Sequence, residues 1–316
     1  MTGLDRRRIR RMVPADRARP DGLRMKGSSM KTLFTTISAA AMLAALAACS
    51  PAEDAAEDAA PAEDAAMSEE MGGETAAMTD EADAGMAEDA APMSLSERLA
   101  NADRPEGDVE LDAMRHPAEI LAFAGLEPGW HVADLGAGGG YYSRVLSAAV
   151  GAEGHVYSQN YDWIVERYPN VVNAMDALEA GHSNVTTHTT TDTAPLEGMD
   201  TPLDAVFIVL LYHDVVLEEG EDLAAMNQAI YDGLRPGGVY VIIDHAARDE
   251  SGLEDLESLH RIDEAVVRQQ VEAAGFELQG EADILANADD DRTLNVFDPS
   301  IRRQTDRFVL VYRKPE

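Results

Sequence analysis

Tyr212, His213 and Asp214 close a long apolar run that begins at Leu203. An imidazole beside a carboxylate suits proton transfer near neutral pH, because the unperturbed histidine pKa lies there. His213 is therefore the candidate general base, with Asp214 to orient it or serve alone, and Tyr212 beside them. A second group, Asp134-Leu-Gly136-Ala-Gly138-Gly-Gly140, offers main chain in place of side-chain chemistry. Its glycines carry no Cβ, so a ligand can lie close against the backbone where a strand turns into a positive helix end. Asp244-His245 and His260 with Asp263 are weaker candidates, the first as a pocket lining and Asp263 as the start of a helix. His213, His245 and His260 show no metal-ligand spacing in the sequence, and no metal is expected.

The elements that must position these residues follow from periodicity. Val132 to Leu135 reads as a short buried strand, and Tyr141, Val145, Leu146 and Ala149 fall on one face of the helix that follows. Arg115 to Ala124 reads as a helix with Pro117 in its first turn. Further strands are expected at 154–160, 184–190, 203–212 and 239–243, and a final pair at 276–278 and 307–312. The 203–212 run suits a central strand covered on both faces. Helices are expected at 161–180, 222–234 and 261–274. Alternating β and α predicts a doubly wound, mostly parallel, seven-stranded α/β sheet with an antiparallel C-terminal hairpin. In such a sheet the ligand lies outside the carboxyl ends of the strands, at the point where strand order reverses.

The order Asp134-x-Gly136-x-Gly138-x-Gly140 resembles the first motif of the class I S-adenosylmethionine (SAM) methyltransferases. The dinucleotide fingerprint G-x-G-x-x-G would need glycine where Tyr141 stands, so an NAD-linked oxidoreductase is disfavoured. The Leu234-Arg-Pro-Gly-Gly238 turn and the terminal hairpin extend the likeness over roughly residues 115 to 315. Gly140-Tyr-Tyr142, Val156-Tyr-Ser-Gln-Asn160, Tyr212-His-Asp214, His260-Arg-Ile-Asp263 and Thr305-Asp-Arg-Phe-Val309 look like a bacterial family of predicted, often exported methyltransferases. The resemblance implies SAM as cofactor, its methionine part against Gly136, Gly138 and Gly140. Asp134 would meet the ligand's ammonium or hold the loop. It also implies an acidic residue at the end of the second strand to grip the ribose, where this chain has Asn160; an amide can still donate and accept, without charge assistance. Thr191 or Asp192 is the corresponding candidate for the adenine, and an exposed loop is the plainer reading there. Tyr212, His213 and Asp214 occupy the place that faces the transferred methyl.

The amino-terminal third reads as an address and a tether. Residues 1–31 are rich in arginine, Thr32 to Ala48 is apolar and small, and the run ends Leu46-Ala-Ala-Cys49. That order makes a secretory signal, too short to span a bilayer. It resembles the lipobox of bacterial lipoproteins, which implies that residues 1–48 are removed and Cys49, the one cysteine in the chain, is lipidated. Ser50 in place of Asp implies sorting to the outer membrane, facing the periplasm. Residues 49–93 repeat Pro-Ala-Glu-Asp-Ala-Ala with no basic residue and no apolar stripe, the pattern of a disordered acidic spacer. Residues 94–316 then form the folded domain.

A formal net charge of -34 argues against nucleic acid as a partner. The partners expected are a small-molecule or envelope substrate and, through Cys49, a membrane. Two functions follow: SAM-dependent methyl transfer to such a substrate, or a non-catalytic envelope lipoprotein that keeps the fold as a ligand-binding module. Compartment sustains the second, since SAM is made in the cytoplasm.

Overall fold

The computed structural model describes residues 9–12, 93–218 and 222–316. The expectations for Cys49, for most of the leader and for the tether lie outside these residues.

β2 (His131–Leu135) lies at the middle of the sheet. From it the chain runs outward through β3 (His155–Tyr161) and β4 (Val185–Thr190), then returns to β2's other side as β5 (Leu203–Val209) and β6 (Leu234–His245). These five strands are parallel. β8 (Arg307–Arg313) lies antiparallel to β6, and β7 (Glu277–Ala282) antiparallel to β8. The seven expected strands and the closing antiparallel hairpin are thus present. An eighth, β1 (Ile9–Met12), was not expected; it pairs antiparallel with β7, whose outer edge otherwise leaves its backbone groups unpaired.

β5 shows why the sheet is central. Val206 and Ile208 enter one core, Ala205 and Phe207 the other, and all four are fully buried. Burying a side chain such as Phe207 contributes roughly 1.5–3 kcal/mol. Helices α1 (Leu95–Asn101), α3 (Pro117–Ala124) and α4 (Tyr141–Val150) close one face through Leu99, Ile120, Leu121, Val145 and Leu146. Between α1 and α3 lies α2 (Glu106–Arg115). The other face is closed by α8 (Leu223–Gly233) and α10 (Glu264–Ala273), through Met226, Ile230, Val267 and Val271.

Several boundaries differ from expectation for local reasons. The helix expected over 161–180 is two, α5 (Asp162–Arg167) and α6 (Val171–Gly181), interrupted at Tyr168-Pro169, because proline disfavours helix in the residue before it. The apolar run 203–212 is not one strand: β5 stops at Val209, Leu210 turns left-handed at φ 54°, and Tyr212 opens α7 (Tyr212–Leu217). β6 begins at Leu234 instead of 239. α9 (Leu256–Leu259) was not expected, and among the described residues no helix is long and apolar enough to cross a membrane.

Candidate functional site at the strand carboxyl ends

Strand order reverses between β2 and β5, so the crevice opens where Leu135 and Val209 end. The turn after β2 needs glycine: Gly136, Gly138 and Gly140 have φ of 66°, 53° and 83°. A Cβ on Gly136 would lie 1.8 Å from Leu211 Cδ2, which presses the turn against the segment leaving β5. Gly139 faces open space, with nothing within 4 Å of a Cβ built there.

The end of β3 holds this turn from within. The Gly136 N–H donates to Gln159 Oε1 at 2.9 Å, and the Gly138 N–H to Asn160 Oδ1 at 2.8 Å. The Ala137 N–H donates to the Gln159 carbonyl at 2.8 Å, while Gln159 Nε2 donates to Thr190 Oγ1 at the end of β4. Asn160, expected at a ribose, is fully buried and spent on the loop. Asp134 is also buried; its Oδ2 accepts from Ser143 Oγ of α4 at 2.6 Å, and the Ser158 hydroxyl lies 2.8 Å beyond. Burial pushes its carboxyl up to about 7, against the hydrogen bond from Ser143. Of the two roles expected for Asp134, this geometry describes the loop brace. Asp192 accepts the N–H of Asp222, the N-cap of α8.

The second constellation is assembled from three separate segments. The His213 N–H donates to Asp244 Oδ2 at 2.9 Å, and its Nδ1 lies 2.6 Å from Asp244 Oδ1. Both residues are buried. On the other side of the ring, Nε2 lies 3.5 Å from Asp214 Oδ1, and His260 Nε2 lies 3.0 Å from that same oxygen. The two imidazoles meet edge to face at 4.3 Å. The result is a chain Asp244–His213–Asp214–His260, buried at its first two members and half-buried at its last two. Burial pushes Asp214 up, but His213 and His260, with Arg167 behind them, outweigh it and hold the carboxyl below its usual range. His245 stands 5.7 Å from His213 with Nδ1 2.8 Å from Thr305 Oγ1, and burial holds it well below its ordinary pKa, hence neutral.

Strained backbone frames this chain at both sides: Leu210 precedes α7, and His260 has φ 58° at the end of α9. Non-glycine residues persist there only where their surroundings over-determine them. Next to His260, Arg261 is fully buried. It grips both oxygens of Asp290 and donates to the carbonyls of Ala246 and Leu294. Asp263 caps α10, accepting from the Ala265 N–H at 2.9 Å.

Tyr212, expected beside the reacting atoms, lies elsewhere. Its hydroxyl donates to Gln270 of α10 and accepts from Asn227 of α8, inside the core. α2 lies over the crevice. Its Met114 carbonyl accepts from Arg307, its Asp112 from Tyr141, and its Asp108 pairs with Arg144. The cavity left among α2, Leu210, His245 and Arg307 is about 20 Å3, room for a water.

The structure thus brings His213, Asp214 and His260 together with Asp244, and places Asp134, Asn160 and Tyr212 in supporting positions. Gln159 and Arg261 were not expected to matter. Their place inside the motifs 156–160 and 260–263 was the available signal.

No protein-family model and no curated protein matches this sequence. Solved structures similar in fold include a SAM-dependent methyltransferase from Aquifex aeolicus, at 21% identity and a TM-score of 0.45, covering 71% of this chain and 100% of that one. Another is Aeropyrum pernix fibrillarin with natively bound S-adenosyl-L-methionine, at 15% identity and 0.41, covering 64% and 76%. A third is an arsenic(III) S-adenosylmethionine methyltransferase from Chlamydomonas reinhardtii, at 18% and 0.43, covering 72% and 75%.

Proposed function

We propose that this protein is a SAM-dependent methyltransferase acting on a small molecule or envelope component, exported and anchored through a lipid on Cys49. The observation that carries the reading is the left-handed glycine turn at the reversal of strand order, beside an imidazole–carboxylate chain at the ends of β5 and β6. The turn fits a group laid against main chain at Gly139, which faces open space, while the room beside Gly136 and Gly140 is taken by Leu211 and by Leu178 with Arg144. Its N–H groups at 136, 137 and 138 are already used by β3, so contact there would be close packing with the loop. Asn160 acts in this reading by fixing the shape of that loop, and Asp134 by propping β2 on α4.

SAM, when bound, supplies an electrophilic methyl for in-line displacement, and the protein's part is alignment and removal of a proton. Asp214 and His260 form the half-buried face that meets the acceptor, and His213 stands behind them, oriented by Asp244. A proton accepted at this face is stabilised by two carboxylates around one imidazole.

Calorimetry of the purified protein with SAM tests the reading. Saturable binding that is lost in Gly138→Arg is expected; absence of heat at millimolar ligand removes it in favour of the non-catalytic module. For the anchor, Cys49→Ser is expected to release the protein from membranes into the soluble fraction, and a mutant that still pellets removes the lipid.

A further inference from the structure

We propose that His213, Asp214 and His260 form a binding site for a divalent first-row transition ion, with zinc its simplest occupant. The ligand atoms of these three residues all lie within 4.8 Å of one another, among residues 47 positions apart in the chain. Both imidazoles turn Nε2 toward the same carboxylate oxygen, at 3.5 and 3.0 Å. Ligands about 2.0–2.1 Å from a tetrahedral zinc are separated by about 3.3 Å, a spacing these two distances bracket.

The surroundings of the trio are those of a metal centre. Asp244 Oδ1 lies 2.6 Å from His213 Nδ1, on the far side of the ring from Asp214. A ligating imidazole commonly donates its other ring N–H to a carboxylate, which fixes the tautomer and raises the basicity of the ligating nitrogen. With Nδ1 turned to Asp244, Nε2 is the ring nitrogen that faces Asp214 Oδ1, at 3.5 Å. A cation between them would be coordinated by both. Charge points the same way: the chain Asp244–His213–Asp214–His260 gathers two carboxyl groups, one of them on a fully buried aspartate. A divalent ion balances both.

Three protein ligands leave a fourth position, on the side where Asp214 and His260 are half-buried. If the methyl-transfer reading holds, that position selects acceptors bearing a hydroxyl or carboxylate oxygen able to ligate the ion; zinc binding itself does not depend on that reading.

The test uses the full-length protein stripped with chelator, re-equilibrated with micromolar zinc without SAM, and desalted before metal analysis. About one zinc per chain is expected, falling below about a tenth in His260→Ala and in Asp214→Asn. His213→Ala removes a buried side chain and can unfold the domain, so Asp244→Asn is the check on its role. That variant is expected to weaken zinc affinity 10–100-fold while leaving a folded circular dichroism spectrum. Cobalt(II) in place of zinc should give visible absorption of a low-coordinate nitrogen–oxygen site in the wild type only. Wild-type protein that retains no zinc, or a His260→Ala variant that retains as much, overturns the proposal; zinc held by the acidic tether would survive His260→Ala and count against it. SAM binding, measured separately on stripped protein, can fail without altering the zinc result.

Discussion

The glycine turn and the imidazole–carboxylate chain lie side by side, yet they are built on opposite plans. The turn comes from seven consecutive residues, and its backbone donors at 136, 137 and 138 are satisfied by the end of β3. The chain comes from α7, the end of β6 and the loop after α9, and it gathers like charges in a buried place. The turn is shape held by hydrogen bonds from its main chain. Next to it lies charge held in shape by other parts of the molecule. A contiguous satisfied loop keeps its form with or without a ligand, whereas an assembled cluster depends on whatever holds its segments in register.

Arg261 is the sharpest place to break that dependence. It ties the His260 segment to Asp290 and to the carbonyls of Ala246 and Leu294. Arg261→Met should cost about 3–5 kcal/mol, because a buried aspartate loses its counter-charge. Urea unfolding reads the loss, and zinc retention should fall with it even where the variant stays folded. An effect below about 1 kcal/mol would mean that the cluster stands without this support.

Asp134 tests the other region through pH. Its carboxyl is raised to about 7 by burial, so folding favours the protonated form. The folded pKa lies above the unfolded one; stability from this group is therefore full below about pH 4 and is lost as pH rises toward 7. Up to about 4 kcal/mol is at stake across that window, with the opposing hydrogen bond from Ser143 already included. Asp134→Asn should flatten the urea-derived stability curve between pH 4 and 8. An unchanged slope in the variant would locate the pH dependence elsewhere.

What was legible in the sequence follows the same division. The glycine turn could be read because its residues are neighbours and its spacing has one structural meaning. The central strand could be read from its apolar run, since Val206 and Ile208 enter one core and Ala205 and Phe207 the other, so both faces are buried. The partnership of His213 with Asp244 could not, because it depends on β5 and β6 being adjacent with Val209 opposite Ile243. His260 joins them on a segment that buried Arg261 ties to Asp290, a partner 29 positions away in the chain. Tyr212 was misplaced because apolar residues continue past the strand; the left-handed turn at Leu210 that redirects the chain has no glycine to announce it.

Asn160 separates shape from ligand contact most finely. As a brace it accepts from the Gly138 N–H at 2.8 Å, and Asn160→Ala leaves that half-buried donor without this acceptor, a cost of roughly 1–2 kcal/mol. Asn160→Asp keeps an acceptor of the same shape, so it should retain the loop more nearly than alanine does. As a ribose contact the order is different: alanine would weaken SAM binding with little change in stability, and aspartate would strengthen it by charge assistance. Thermal unfolding without ligand and calorimetry with SAM, run on the same two variants, distinguish the roles. The expected outcome is that affinity and stability fall together in alanine, since a turn held by β3 can receive a ligand only while β3 holds it.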